Sequence, residues 1–130
     1  MDYTKNAREF FKNDHYATGL TGIEIEKAEP EYAKCILKLT ENHRNSNQQV
    51  MGGAIFTLAD FTFAVAANVG QETTVTLSSQ IEYLNTVKGN ILTAETNCLK
   101  SGRKTCVIEV TITDELGTLV AKTITTGLRV

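Results

Sequence analysis

Residues Val50 to Val69, VMGGAIFTLADFTFAVAANV, are apolar almost without interruption, and any fold for this chain has to hide them. The stretch reads as one buried helix, relieved only by Gly52, Gly53, Thr57, Asp60, Thr62 and Asn68. Its length also invites a membrane-spanning reading. A central Asp, however, costs about 2.5–3.5 kcal/mol on insertion scales. Basic flanks are missing as well, and the residues that follow look like amphipathic strands. The expectation is a core helix, with no membrane as partner.

The rest of the chain supplies the cover. Tyr3 to Lys12 sets Ala7, Phe10 and Phe11 at helical spacing, a short amphipathic helix. Between Gly19 and Leu39 the pattern alternates, with Ala33, Cys35, Leu37 and Leu39 on one side, Lys34 and Lys38 on the other, and a turn at Pro30. Glu41 to Gln49 is polar and aperiodic, an exposed loop in which His43 is expected to be solvated. After Gly70 come four alternating stretches, 73–84, 90–100, 104–113 and 119–128, which read as a long antiparallel meander. A helix apolar on every side needs a curved sheet around it, or burial in an oligomer. The expected class is α+β, one domain over residues 1–130.

Composition excludes several functions. The 130 residues carry 13 Lys and Arg against 15 Asp and Glu, a formal net charge of -2, so nothing favours a nucleic-acid partner. Three cysteines without a C-x-x-C pair fit reduced thiols and a cytoplasmic protein better than a disulfide framework or a zinc ribbon. No signal peptide is visible. No metal-ligand cluster, dinucleotide fingerprint or Walker loop occurs, so neither a metal nor a nucleotide cofactor is indicated.

Chemistry concentrates on the apolar helix. Asp60 lies at its middle, with Phe56 and Ala64 one turn to either side. A carboxylate is costly there and its pKa should rise, which points to function, although a bond to Thr57 or to the sheet would make it a satisfied core polar group. Gly52 and Gly53 stand where loop becomes helix, where free N–H groups and the helix dipole favour negative charge. The pair either binds an oxyanion or merely permits a tight turn. Gly53 and Asp60 share a helical face but are separated by about 10 Å of rise. If they cooperate on one carbonyl carbon, an antiparallel helix from a second subunit must bring its Gly53 beside this Asp60, giving two sites per two-fold dimer.

The segment from Asn45 to Asn68, NSNQQVMGGAIFTLADFTFAVAAN, resembles the central helix of the hotdog-fold acyl-CoA thioesterases, in particular the PaaI-like group. The likeness extends more loosely through Gln80–Leu84 and the Lys100–Lys104 hairpin. It implies a hotdog fold, in which a long central helix is wrapped by a curved antiparallel sheet and preceded by a short helix. It also implies hydrolysis of an acyl-CoA substrate without a cofactor, by a homotetramer built as a dimer of dimers. By that resemblance Asp60 is base or nucleophile, the Gly53 N–H faces the thioester oxygen, and Asn45 helps place water or thioester. Thr76 assists the water, with Ser78, on the same strand face by period, as the competing choice. Met51 stands where the family usually has His, and it has no hydrogen-bond donor to polarise the thioester. Gly52 and Phe56 adjoin the expected acyl site. Arg103 and Lys104 would meet coenzyme A phosphates, or simply form a charged hairpin tip. Two readings compete with hydrolysis: an acyl-CoA binder that lost its chemistry at Met51, and a hydroxyacyl dehydratase, which would want a His that the helix lacks.

Overall fold

The alternating stretches form one antiparallel sheet of six strands in the computed structural model, which describes residues 1–130. They are β1 (Glu24–Glu29), β2 (Tyr32–Lys38), β3 (Thr74–Tyr83), β4 (Ile91–Ser101), β5 (Thr105–Asp114) and β6 (Leu119–Arg129). Alternation sets the faces: along β5, Cys106, Ile108, Val110 and Ile112 are buried while Thr105, Glu109, Thr111 and Thr113 are half-exposed. Two helices complete the fold, α1 (Tyr3–Phe11) and α2 (Gly52–Asn68). Asp2 caps α1 by accepting the Lys5 N–H, and α1 buries Ala7 and Phe11. A π-helical segment, His15–Thr21, follows it.

α2 touches all six strands, so the sheet curls around it. Leu58, Phe63, Val65, Ala66 and Ala67 are sealed from solvent against Leu37, Leu92, Ile108 and Val110. Each large side chain hidden in this way contributes about 1.5–3 kcal/mol. Helix and sheet pack closely at Gly127 of β6, where a Cβ would lie 2.8 Å from the Phe63 ring and 2.7 Å from Thr74, so only glycine lets the helix approach. This is the long helix, curved antiparallel sheet and short N-terminal helix expected of a hotdog fold. No helix is long and apolar enough to cross a membrane.

Two expectations fail. The strands are not a simple meander: their order is β1-β2-β4-β5-β6-β3, with β3 against β6 at the far edge and β4 returning to β2. Side-chain alternation specifies which face a residue takes but not which strand lies beside it. Nor is α2 buried all round. Gly53 and Asp60 are exposed and Phe56, Thr57 and Ala64 half-buried, a stripe at helical spacing left open because sheet and core cover only the other sides.

Candidate active site

The open stripe of α2 is the floor of two adjoining cavities whose wall is the His15–Thr21 segment. The larger, about 470 Å³, is bounded by Phe56, Asp60, Phe61 and Ala64 of α2 and by Asp14, His15, Tyr16 and Ala17. The smaller, about 280 Å³, lies toward the start of α2 and holds Met51, Gly53, Ala54 and Thr57 with Tyr16, Leu20 and His43. Tyr16 and Thr57 belong to both, so one groove runs along the helix from Gly53 to Asp60.

Asp60 opens into this groove rather than into the core. No donor in the chain hydrogen-bonds it; Thr57, the expected neighbour, instead donates its hydroxyl to Gly53 O at 2.8 Å. Crowding by the surrounding protein strips water from the carboxylate and pushes its pKa above the usual aspartate value. A carboxylate that is solvent-accessible, uncompensated and raised in pKa is suited to taking a proton from water or attacking a carbonyl.

At the other end of the groove the first turn of α2 presents free donors. Met51 N–H donates to His43 O at 2.8 Å, while the Ala54 and Ile55 N–H groups both reach Met51 O. The N–H groups of Gly52 and Gly53 have no acceptor in the chain. A Cβ on Gly53 would meet nothing within 4 Å, so the space beside this peptide is open to a ligand. Met51 stands at the N-cap, 46% exposed and without a side-chain cap bond, and contributes no donor to the cavity.

His43 is buried rather than solvated, and both ring nitrogens are engaged. Nδ1 accepts the Thr40 N–H at 3.0 Å, so Nε2 carries the proton and donates it to Thr21 O at 2.7 Å. The imidazole therefore ties the loop before α2 to the end of the groove wall and is not free for proton transfer.

The remaining candidates do not gather around Asp60 within one chain. Asn45 is exposed, and its Oδ1 accepts the Asn47 and Gln49 N–H groups at 2.9 and 3.1 Å, a turn that shapes the loop and leaves only Nδ2 free. Thr76 and Ser78 are exposed on edge strand β3, outside both cavities. They do not share a face: a bulge between them pairs Thr76 with Gly127 and Ser78 with Thr126, residues on opposite sides of β6. One extra residue reverses the side of everything after it. Arg103 and Lys104 form the β4–β5 hairpin tip, and neither makes an ion pair. That tip lies at the C-terminal end of α2, where Lys104 O accepts the Arg129 N–H and Arg129 reaches Ala67 O. Along the helix it is about 20 Å from Gly53.

Three contributors were not visible as site residues in the chain. Tyr16 and His15 belong to a π-helical turn with no periodic signature. Tyr83 donates its hydroxyl to Gly52 O at 2.9 Å across a large gap in sequence, which no local pattern announces.

Comparison with known proteins identifies the family and the fold. Residues 47–121, more than half of the chain, match the family model described as the thioesterase superfamily. The chain is 30% identical over 112 residues to the acyl-coenzyme A thioesterase PaaI of Escherichia coli K12, across 85% of this chain and 79% of that protein. The structure of the E. coli PaaI protein from the phenylacetic acid degradation operon superposes with a TM-score of 0.91 at 26% identity, over 99% of this chain and 94% of that one. A hypothetical thioesterase from Streptococcus pneumoniae, solved with coenzyme A, is 32% identical with a TM-score of 0.77, over 82% of this chain and 87% of that one. Fold, helix and sequence thus agree, and the chain belongs to the thioesterase superfamily as a hotdog protein of the PaaI-like group.

Proposed function

We propose that this protein hydrolyses acyl-CoA thioesters at sites shared between two copies of the chain. The observation that carries the reading is the pair of unpartnered groups on one open helical stripe: the Asp60 carboxylate, raised in pKa, and the Gly53 N–H. They are seven residues and about 10 Å apart, too far to serve one carbonyl carbon. A second copy with its α2 antiparallel brings its Gly53 beside this Asp60. Asp60 then removes a proton from water as the oxygen attacks the thioester carbon, and Gly53 N–H stabilises the oxyanion. Collapse breaks the C–S bond and the proton passes to the leaving sulfur, yielding acid and CoA. Direct attack by Asp60 through an anhydride uses the same geometry.

A bare edge supports association. β3 is a ten-residue edge strand with Val75, Leu77 and Tyr83 exposed and Ile124 of β6 alongside, a surface that isolated proteins usually blunt. Two such pairs would make the homotetramer. The antiparallel arrangement also carries the second copy's Arg103 and Lys104 toward this Gly53, where coenzyme A phosphates would lie. In this scheme Asn45, through Nδ2, and Thr76 position water, Ser78 is the weaker alternative, and Phe56 borders the acyl group. Three free cysteines, two of them fully buried, support a cytoplasmic setting.

The test is thiol release from short, medium and aromatic acyl-CoA thioesters, corrected for the three cysteines, in native protein and Asp60→Asn. Turnover abolished by the substitution establishes the reading. A second reading, a non-catalytic acyl-CoA binder, is favoured by Met51, which adds no donor at the mouth of the site; binding without turnover would promote it.

A further inference from the structure

We infer that Tyr83 is a positioning residue that aims and polarises the oxyanion-binding peptide. The inference rests on the thioesterase reading above and deepens it. Gly52 C=O and Gly53 N–H are two ends of one planar peptide unit, so whatever orients the carbonyl orients the N–H. The Tyr83 hydroxyl donates to Gly52 O at 2.9 Å. Its ring also lies against the same residue: a Cβ on Gly52 would be 3.1 Å from Tyr83 Oη and 3.2 Å from Cζ. The next peptide is held in parallel, since Thr57 donates to Gly53 O at 2.8 Å.

Two glycines in succession make this first turn of α2 looser than other residues would. Tyr83 limits that freedom at the peptide whose N–H, on Gly53, has no acceptor in the chain and whose residue lines the groove. A hydrogen bond to the carbonyl draws electron density from the amide nitrogen and makes the N–H a stronger donor, an effect of about 10–30% per bond in condensed phase. It compensates in part for Met51, which offers the substrate no donor. Tyr83 is 52% exposed and ends the edge strand β3, so its ring is not a core element. The geometry also couples the two proposed features of the site, because the strand expected to pair with a second copy is the one that steadies the oxyanion donor.

Tyr83→Phe keeps the ring and deletes the bond, whereas Tyr83→Leu removes both. Acyl-CoA turnover of each is compared with native protein and Asp60→Asn, alongside Tm and the Gly53 amide nitrogen shift by NMR. The expected result is a kcat about five- to tenfold lower in both Tyr83 variants, with KM within twofold, Tm nearly unchanged and the Gly53 nitrogen signal displaced. Full kcat in Tyr83→Phe, with loss confined to Tyr83→Leu, means that the ring merely packs, and overturns the proposal. If Asp60→Asn abolishes turnover while Tyr83→Phe retains it and the Gly53 signal does not move, the positioning role alone falls. A native protein without turnover overturns the thioesterase reading and this inference together.

Discussion

Asp60 and Asp114 are the same residue type used in opposite ways. Asp114 ends β5, is 5% exposed, and is saturated with backbone donors. Its Oδ2 accepts the Lys88 and Gly89 N–H groups at 3.0 and 2.9 Å, and its Oδ1 accepts those of Leu116 and Thr118 at 3.0 and 2.9 Å. Burial pushes its pKa up, but the backbone bonds from Thr118, Lys88 and Gly89 together outweigh that and hold it at about 2. Asp60 is open to solvent, receives no hydrogen bond, and has its pKa raised by the crowding around it. One carboxylate is spent on structure, clamping the β3–β4 crossing to the β5–β6 turn. The other is left chemically available. Partner supply, more than exposure, separates a structural carboxylate from a reactive one.

Substitution sharpens the contrast. The largest effect is expected for Asp60→Asn, which should lower kcat about 10³-fold while Tm stays level or rises, since a poorly solvated charge is removed. Steady-state thiol release and a thermal melt check both halves. Asp114→Ala should do the reverse: about 3 kcal/mol less stability in urea, from orphaned N–H groups, with near-native kcat per folded molecule. If Asp114→Ala instead abolished activity in a stable protein, the division of roles would be broken. Met51→His restores a donor beside Gly53 and should raise kcat about tenfold, less than the full worth of a pre-organised oxyanion donor. No gain would mean that the cavity cannot orient an imidazole there.

The smallest effects come from pH, and their signs oppose. Asp60 must be ionised to act, and its folded pKa is raised, so the acid limb of kcat/KM should lie above 3.8. The same shift means that ionised Asp60 costs stability, which acidification returns. Asp114 has a depressed folded pKa, so its stabilisation is full above 3.8 and is lost as pH falls toward about 2. Activity should therefore disappear on acidification before the fold does. Coincident loss in a pH–rate profile and a circular-dichroism titration would contradict the assignment of the two carboxylates.

Much of the architecture was legible in local periodicity. Val50 to Val69 became α2 over Gly52–Asn68, and the stretches 104–113 and 119–128 became β5 and β6 within a residue or two. Asp60 stood out because a carboxylate interrupts an otherwise apolar run, and Gly52-Gly53 because the pair stands where loop becomes helix and N–H groups lack partners, although a tight turn accounts for a glycine pair as well. The resemblance added roles for Asn45 and Thr76, which one chain alone does not bring to Asp60. Periodicity failed at the bulge before Ser78, which no residue type in β3 announces. It failed for His43, whose partners include Thr21, far away in the chain. The apolar run also concealed that one stripe of α2 stays open.

The amino-acid order by itself determined the elements, their buried faces and the residues able to do chemistry, because each follows from spacings of two to four positions. Only the tertiary structure decided that β3 lies beside β6, that Asp60 opens into a groove walled by His15 to Thr21, and that Tyr83 holds the Gly52–Gly53 peptide. Those are contacts between residues distant in sequence. They are selected by the packing of the whole sheet around one helix, and no local window contains the information that chooses them.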